Sequence, residues 1–309
     1  MVDQIKLTIK RSWLSHVVPY FSFFLLISLW VPSVVAMRAV FFQPQISDMK
    51  IQEDQWPRIF AAARAQGFDT LIIQWSEYGS VFSQGNEQTW LASRVQDVLN
   101  ADLKIVLGLY ADPDMFAHAD SPDELMRDYL LSYLKSNRRL AEYWTKHVAK
   151  DALVGWYLPL EIDDRRWRDP KAQDILAEYL SREFKSLHAV KDIPVYVSSF
   201  FRANMSPTGY KEMIGRLNRD SGVRIWVQDG RGTSPLTSNE IGLYLKTLAD
   251  CRQPVVSGVV YELFKQTGPD TSFKAQALPL PQRESALKQT APCGLDTVVF
   301  SLRYVVDFR

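Results

Sequence analysis

Residues 37–309 are predicted to fold as one (β/α)8 TIM barrel, and three observations carry that reading. Eight short runs rich in Val, Ile and aromatic residues recur between Arg38 and Leu302. Helical patterns lie between them. The runs are nearly continuous apolar stretches, as a parallel sheet covered on both faces requires. Repeated strand–helix alternation implies parallel strands joined by right-handed crossovers. Eight such strands favour closure over an open sheet, and the segment matches the ~250 residues typical of the fold.

The first 36 residues stand apart as a signal or anchor helix. Lys6, Lys10 and Arg11 make a basic start, and no Asp, Glu, Lys or Arg follows until Arg38. The intervening apolar stretch includes Phe21, Phe23, Phe24, Leu25, Leu26, Ile27, Leu29 and Trp30, and ends Val34-Val35-Ala36. It exceeds the ~7–15 residues of a usual signal core and suffices for a bilayer span of about 20. Two readings stand: cleavage near Ala36, or residues 13–36 retained in the inner membrane. Either way the basic flank favours a cytoplasmic N-terminus and export of the rest to the periplasm. A retained anchor would enter the barrel at its bottom and leave the opposite mouth facing the periplasm.

The strand runs are Arg38 to Phe42, Thr70 to Trp75, Lys104 to Tyr110, Leu153 to Leu160, Pro194 to Phe200, Val223 to Gln228, Pro254 to Tyr261 and Thr297 to Leu302. Before the second, Trp56, Ile59, Phe60 and Ala63 form an apolar helical stripe that Gly67 stops. Ser121-Pro122-Asp123-Glu124 reads as a capping box with proline at the first helical position. Asp169-Pro170, Ser206-Pro207 and Ser234-Pro235 repeat the cap-plus-proline device. After Pro170, the residues Ile175, Leu176, Tyr179, Leu180, Phe184 and Leu187 share one face. The eighth unit is expected to be irregular, with no room for a closing helix before Arg309.

Several function classes are disfavoured. The net charge of +1 gives no electrostatic case for nucleic acid. The first strand continues Gln43-Pro44-Gln45 without a glycine-rich phosphate loop. The histidines at 16, 118, 147 and 188 share no ligand-like spacing, so the loop with Asp112, Asp114, His118 and Asp120 is not read as a metal site. No G-x-S-x-G elbow occurs, and nothing implies a cofactor. Cys251 and Cys293 precede the seventh and eighth runs, both at the barrel bottom, where they are either a disulfide or two unrelated thiols.

Strand C-terminal ends line the mouth of such a barrel. There the chain offers Gln43, then Gln74, Trp75 and Glu77, then Tyr110, then Glu161, Asp163 and Trp167, then Gln228 and Asp229, then Tyr261 and Glu262. Amides and carboxylates suit a polyol's many hydroxyls. Glu161 and Glu262, at the ends of the fourth and seventh runs, would face one cavity, and a pair of carboxyls is the equipment for glycosidic cleavage. The structural alternatives are a salt bridge from Glu161 to Arg165 or Arg166, a loop-capping Glu262, a turn role for Asp229 and a loop-capping role for Asp163 or Asp164. Trp75, Trp167 and Tyr261 are candidate sugar-stacking platforms.

At these residues the chain resembles the superfamily of retaining glycosidase barrels with catalytic glutamates on strands four and seven. It is similar, more closely, to a bacterial family of exported barrels related to them. The segments that carry the likeness are Ala65 to Leu71 leading to Gln74-Trp75, Gly155 to Asp164, Gln228-Asp229-Gly230 and Tyr261 to Phe264. The resemblance implies Glu161 as acid/base and Glu262 as nucleophile. It departs at Leu160, where the superfamily usually has an asparagine that holds the sugar 2-hydroxyl. The expected function is an exported glycoside hydrolase acting on a polysaccharide or oligosaccharide. The alternative is a non-catalytic carbohydrate-binding barrel, an accessory in surface polysaccharide assembly or export.

Overall fold

The computed structural model describes residues 36–308 except 234–235 and 269–273. The signal or anchor expectation and the Ser234-Pro235 cap therefore lie outside the described residues. Among the described residues no helix is long and apolar enough to cross a membrane.

The eight barrel strands are β1 (Arg38–Phe42), β2 (Thr70–Ile73), β3 (Lys104–Gly108), β4 (Leu153–Asp163), β5 (Val195–Phe200), β6 (Arg224–Gln228), β7 (Gly258–Glu262) and β8 (Asp296–Phe300). They close in sequence order, β8 pairing with β1, and every ladder is parallel. The (β/α)8 barrel is as predicted. The helices are α1 (Trp56–Ala65), α2 (Gly85–Asn100), α3 (Asp123–Thr145), α4 (Pro170–His188), α5 (Pro207–Ser221), α6 (Ser238–Leu248) and α7 (Leu280–Leu287). No α-helix follows β8 among the described residues. Phe308 packs its ring on Phe42 and Trp56 there instead.

Local signals explain most helix starts. Asp169 accepts the Lys171 N–H at 2.8 Å, and Ser206 Oγ accepts that of Gly209 at 3.1 Å, each with proline in the first turn. One start differs from expectation. Ser121 does not cap α3, because Pro122 stays extended (ψ 149°) and is itself the boundary residue. The start of α6 is capped by Thr237, in a reciprocal box with Glu240.

Strand ends also moved for physical reasons. Pro254 lacks an N–H for a ladder, and the Val255 N–H is spent on the Leu248 carbonyl of α6, so β7 starts only at Gly258. Leu158 pairs with Val197 but Glu161 pairs with Ser198, so Pro159 and Leu160 form a two-residue bulge that lets β4 run on to Asp163. Tyr110–Ala111 leaves the barrel and pairs with Glu77–Tyr78 in a separate two-stranded ladder.

Two cores result. The outer one fills the space between strands and helices, with Trp56, Trp144 and Trp156 fully buried. The inner one plugs the barrel with Ala39, Phe41, Ile72, Val106, Tyr157, Tyr196, Trp226, Val260 and Val298. Tyr196 stacks on Trp226 with ring centroids 4.2 Å apart. Glycine is required beneath those rings: a Cβ at Gly155 would lie 2.7 Å from Tyr196, and one at Gly258 would lie 2.8 Å from Trp226. A filled barrel forces any site above this layer. At the opposite end Cys251 and Cys293 are joined as a disulfide, Cα atoms 5.1 Å apart.

Candidate active site

Register decides which side chains reach the mouth. Val260 lies in the inner core, so Glu262, two residues on, faces inward as well. Glu262 pairs with Phe300, and Gln228 pairs with Val260. Tyr157 pairs with Tyr196, both inner residues, and past the bulge Glu161 pairs with Ser198, the next inward position of β5. Glu161, Gln228 and Glu262 therefore share the inward face, one layer above the aromatic plug.

Glu161 Oε1 accepts a hydrogen bond from Gln228 Nε2 at 3.4 Å. The residue keeps some surface, although protein atoms surround its carboxyl on nearly every side. Burial raises its pKa, the Gln228 amide opposes that, and the Asp163 charge reinforces it. Tyr157, beneath, shares a 2.8 Å hydrogen bond with Ser198 and also feels Glu161's charge.

Glu262 is 2 % exposed, and its Oε2 accepts the Gly232 N–H at 2.6 Å. Asp229 is buried beside it. Asp229 Oδ1 accepts the Glu262 N–H at 3.2 Å and the Arg231 N–H at 3.3 Å. Arg231 Nε stands 2.9 Å from Asp229 Oδ2, an ion-pair distance at an angle too poor for a hydrogen bond. Both carboxyls are pushed up, each chiefly by burial. For Glu262 the Asp229 charge adds to this and Glu161's charge adds further, while the Gly232 N–H and Arg231 work against it. Glu161 and Glu262 thus lie within each other's field.

A sequence profile described as "Domain of unknown function (DUF4434)" matches residues 37–306. The chain belongs to this family. A relative from Escherichia coli (strain K12), "Uncharacterized protein YbcH", is 39% identical over 289 residues, covering 92% of this chain and 96% of the relative. Among solved structures, a putative alpha-L-fucosidase from Bacteroides thetaiotaomicron superposes with TM-score 0.63 at 14% identity, over 95% of this chain and 91% of that one. The ZgEngAGH5_4 wild-type structure gives TM-score 0.52 at 13% identity, over 89% and 90%. At such identities the likeness is one of fold: this DUF4434 barrel has the backbone of glycoside hydrolase barrels.

The DUF4434 barrel does not bring every candidate to the mouth. Tyr261 faces the helical layer, where its hydroxyl donates to the Thr290 carbonyl at 3.2 Å. Trp167 is 3 % exposed in the outer core beneath the Arg166 guanidinium. Neither offers a free face for stacking, because strand alternation and the β4–α4 loop turn both outward. Trp75 sits on the outer side of β2, packed on Tyr78, its indole N–H donated to the Pro44 carbonyl at 3.1 Å. Glu77 is buried against Arg139 of α3 at 2.6 Å. Tyr110 packs on Tyr133 of α3. Asp163 Oδ1 accepts the N–H groups of Arg165 and Arg166 at 2.7 and 2.6 Å, and so fastens the β4–α4 loop. Asp164, fully buried, holds the backbone N–H groups of Arg202, Asn204 and Met205.

Gln43 and Gln74 follow the inner residues Phe41 and Ile72 at two-residue spacing, on the inward side. Gln74 Oε1 is buried with no hydrogen-bond partner among the described residues. Arg165 and Arg166 pair with Asp120 and Asp123, so Glu161 is not tied down in the salt bridge weighed from the sequence. Leu160 is 5 % exposed in the outer core. The amide beside Glu161 is Gln228 instead. Sequence reasoning missed Tyr157, Arg231 and Gly232; the Asp229-Gly230-Arg231-Gly232 spacing was the one available cue. Among the described residues no group of three or more His, Cys, Asp or Glu residues could hold a metal.

Proposed function

We propose that the protein is an exported glycoside hydrolase that cleaves a polysaccharide or oligosaccharide with retention. The observation that carries this reading is the placement of Glu161 and Glu262 on one inward face, above a filled barrel and in each other's field. Glu161 serves as acid/base. Burial favours its protonated form, as a general acid needs. It gives its proton to the leaving oxygen as the glycosidic bond breaks, while a Glu262 oxygen bonds to the anomeric carbon. Glu161 then takes a proton from water, whose oxygen displaces Glu262. Glu262 attacks as the carboxylate; burial and the Asp229 charge push its pKa up to about 8, so this form is the minority at neutral pH, and the Gly232 N–H and Arg231 are the contacts that favour it. Gln228 takes the amide place that Leu160 leaves empty, and Gln43 and Gln74 meet sugar hydroxyls. The disulfide fits an oxidising compartment, which supports the periplasm as the site of action.

The test is a screen of purified protein on neutral and acidic oligosaccharides, with Glu161→Gln and Glu262→Ala alongside the parent. Loss of one acid/base group is expected to cost about 10²–10⁴ in rate. Parent-level turnover by both variants would overturn the mechanism. One observation favours a second reading, a non-catalytic carbohydrate-binding barrel serving polysaccharide assembly or export: Glu262 is 2 % exposed, with Gly232 against its carboxyl. That reading predicts saccharide binding, retained in Glu262→Ala, and no turnover by the parent.

A further inference from the structure

We infer that Gly232 is the positioning residue for Glu262, holding its carboxyl in place through a main-chain hydrogen bond that only a residue without a side chain can make here. This rests on the reading of Glu262 as nucleophile and names what orients it. The Gly232 N–H reaches Oε2 at 2.6 Å. A Cβ at Gly232 would stand 2.9 Å from that same oxygen and 2.8 Å from two ring carbons of Phe264. Phe264 cannot yield cheaply: it is 4 % exposed and wedged against the rings of Phe300 and Tyr304.

Asp229 fixes the two backbones that must meet. One of its oxygens accepts the N–H of Glu262 and that of Arg231, the residue before Gly232. The Arg231 side chain balances Asp229's charge from the rim. The β6–α6 loop thus works as a carboxylate clamp, its charged members holding the backbone and its glycine holding the side chain. A hydrogen bond to the ionised carboxyl favours that form, so losing it makes Glu262 harder to ionise. The same bond fixes one carboxyl oxygen and leaves the other to attack.

The experiment is an NMR titration of the full chain carrying ¹³C-labelled glutamate side chains, with Glu262 assigned through Glu262→Gln. Gly232→Ala is expected to raise the Glu262 midpoint by a pH unit or more. Thermal unfolding of the same sample establishes that the variant is folded. Adding Phe264→Ala to Gly232→Ala clears the ring but leaves the methyl group against Oε2, so the midpoint is expected to stay above that of the parent. Arg231→Gln, at a partly exposed position, is a second route and also moves the midpoint up. A folded Gly232→Ala protein whose Glu262 titrates as in the parent overturns the inference, as does a double variant whose midpoint returns to the parent's. None of these readings needs turnover, so their failure is separate from failure of the hydrolase proposal. If a substrate is found, Gly232→Ala should lower kcat with little change in KM and move the acidic limb of the pH–rate profile upward.

Discussion

Replacing Glu183 with glutamine should stabilise this protein at alkaline pH and scarcely change it in acid. Glu183 lies between α3 and α4 with no exposed surface. Its Oε1 accepts a hydrogen bond from Asn137 Nδ2 at 2.7 Å, and its Oε2 accepts none. The Tyr179 hydroxyl is near enough to favour the charged carboxyl, without the geometry of a full hydrogen bond. Burial outweighs both partners and raises Glu183 from the ordinary 4.5 to about 7. The folded chain therefore binds this proton more tightly than the unfolded chain does. The stability it contributes is complete below pH 4.5 and is lost as the pH rises to about 7. At about 1.4 kcal/mol per pH unit, the loss comes to roughly 3 kcal/mol. Glu183→Gln keeps an acceptor for Asn137 and cannot ionise. Urea unfolding at pH 5 and pH 8 reads the difference. The variant should match the parent within about 1 kcal/mol at pH 5 and exceed it by roughly 3 kcal/mol at pH 8. An equal gap at both pH values, or a parent more stable at pH 8, refutes the reasoning. The contact extends to the chain just past the end of β3, because Asn137 Oδ1 also holds the Tyr110 N–H at 3.0 Å.

Gln228→Leu removes the donor to Glu161, so the Glu161 carboxyl should titrate higher; an NMR titration that finds it unmoved or lower contradicts the assigned contact. Cys293→Ser opens a disulfide spanning 42 residues and should cost about 4 kcal/mol in urea unfolding under oxidising conditions, with no difference from the parent under reducing conditions. Trp167→Ala should cost about 3–5 kcal/mol of stability, as a buried aromatic does, while saccharide affinity measured by calorimetry stays near the parent's. A large loss of affinity in a stable Trp167→Ala protein would restore the stacking role.

The architecture was legible because its signals are local. Apolar runs such as Thr70 to Trp75, of which Thr70 to Ile73 forms the strand, and the Asp169 and Ser206 caps act over a few residues of chain. The site was legible only in part. Glu161, Gln228 and Glu262 end runs whose order was readable, but Tyr261 and Glu262 are neighbours with opposite fates, one against helices and one in the barrel. A continuous apolar run carries no alternation from which to tell the inward face. Trp167 and Glu77 show the same gap: both follow strand ends in the sequence, yet helices α3 and α4 and the loops before them claimed them for packing.

By itself the amino-acid sequence determined that eight strands would alternate with helices, that they would run parallel, and that two glutamates would stand at the ends of the fourth and seventh. The tertiary structure decided the rest. The Pro159–Leu160 bulge sets Glu161 at the level of Ser198. The β6–α6 loop brings Gly232 onto a carboxyl 30 residues away in the chain. The reason is physical. Backbone propensity and capping are settled between near neighbours, whereas burial, field and hydrogen bonding at a barrel mouth arise only when strands far apart in the chain close into one ring.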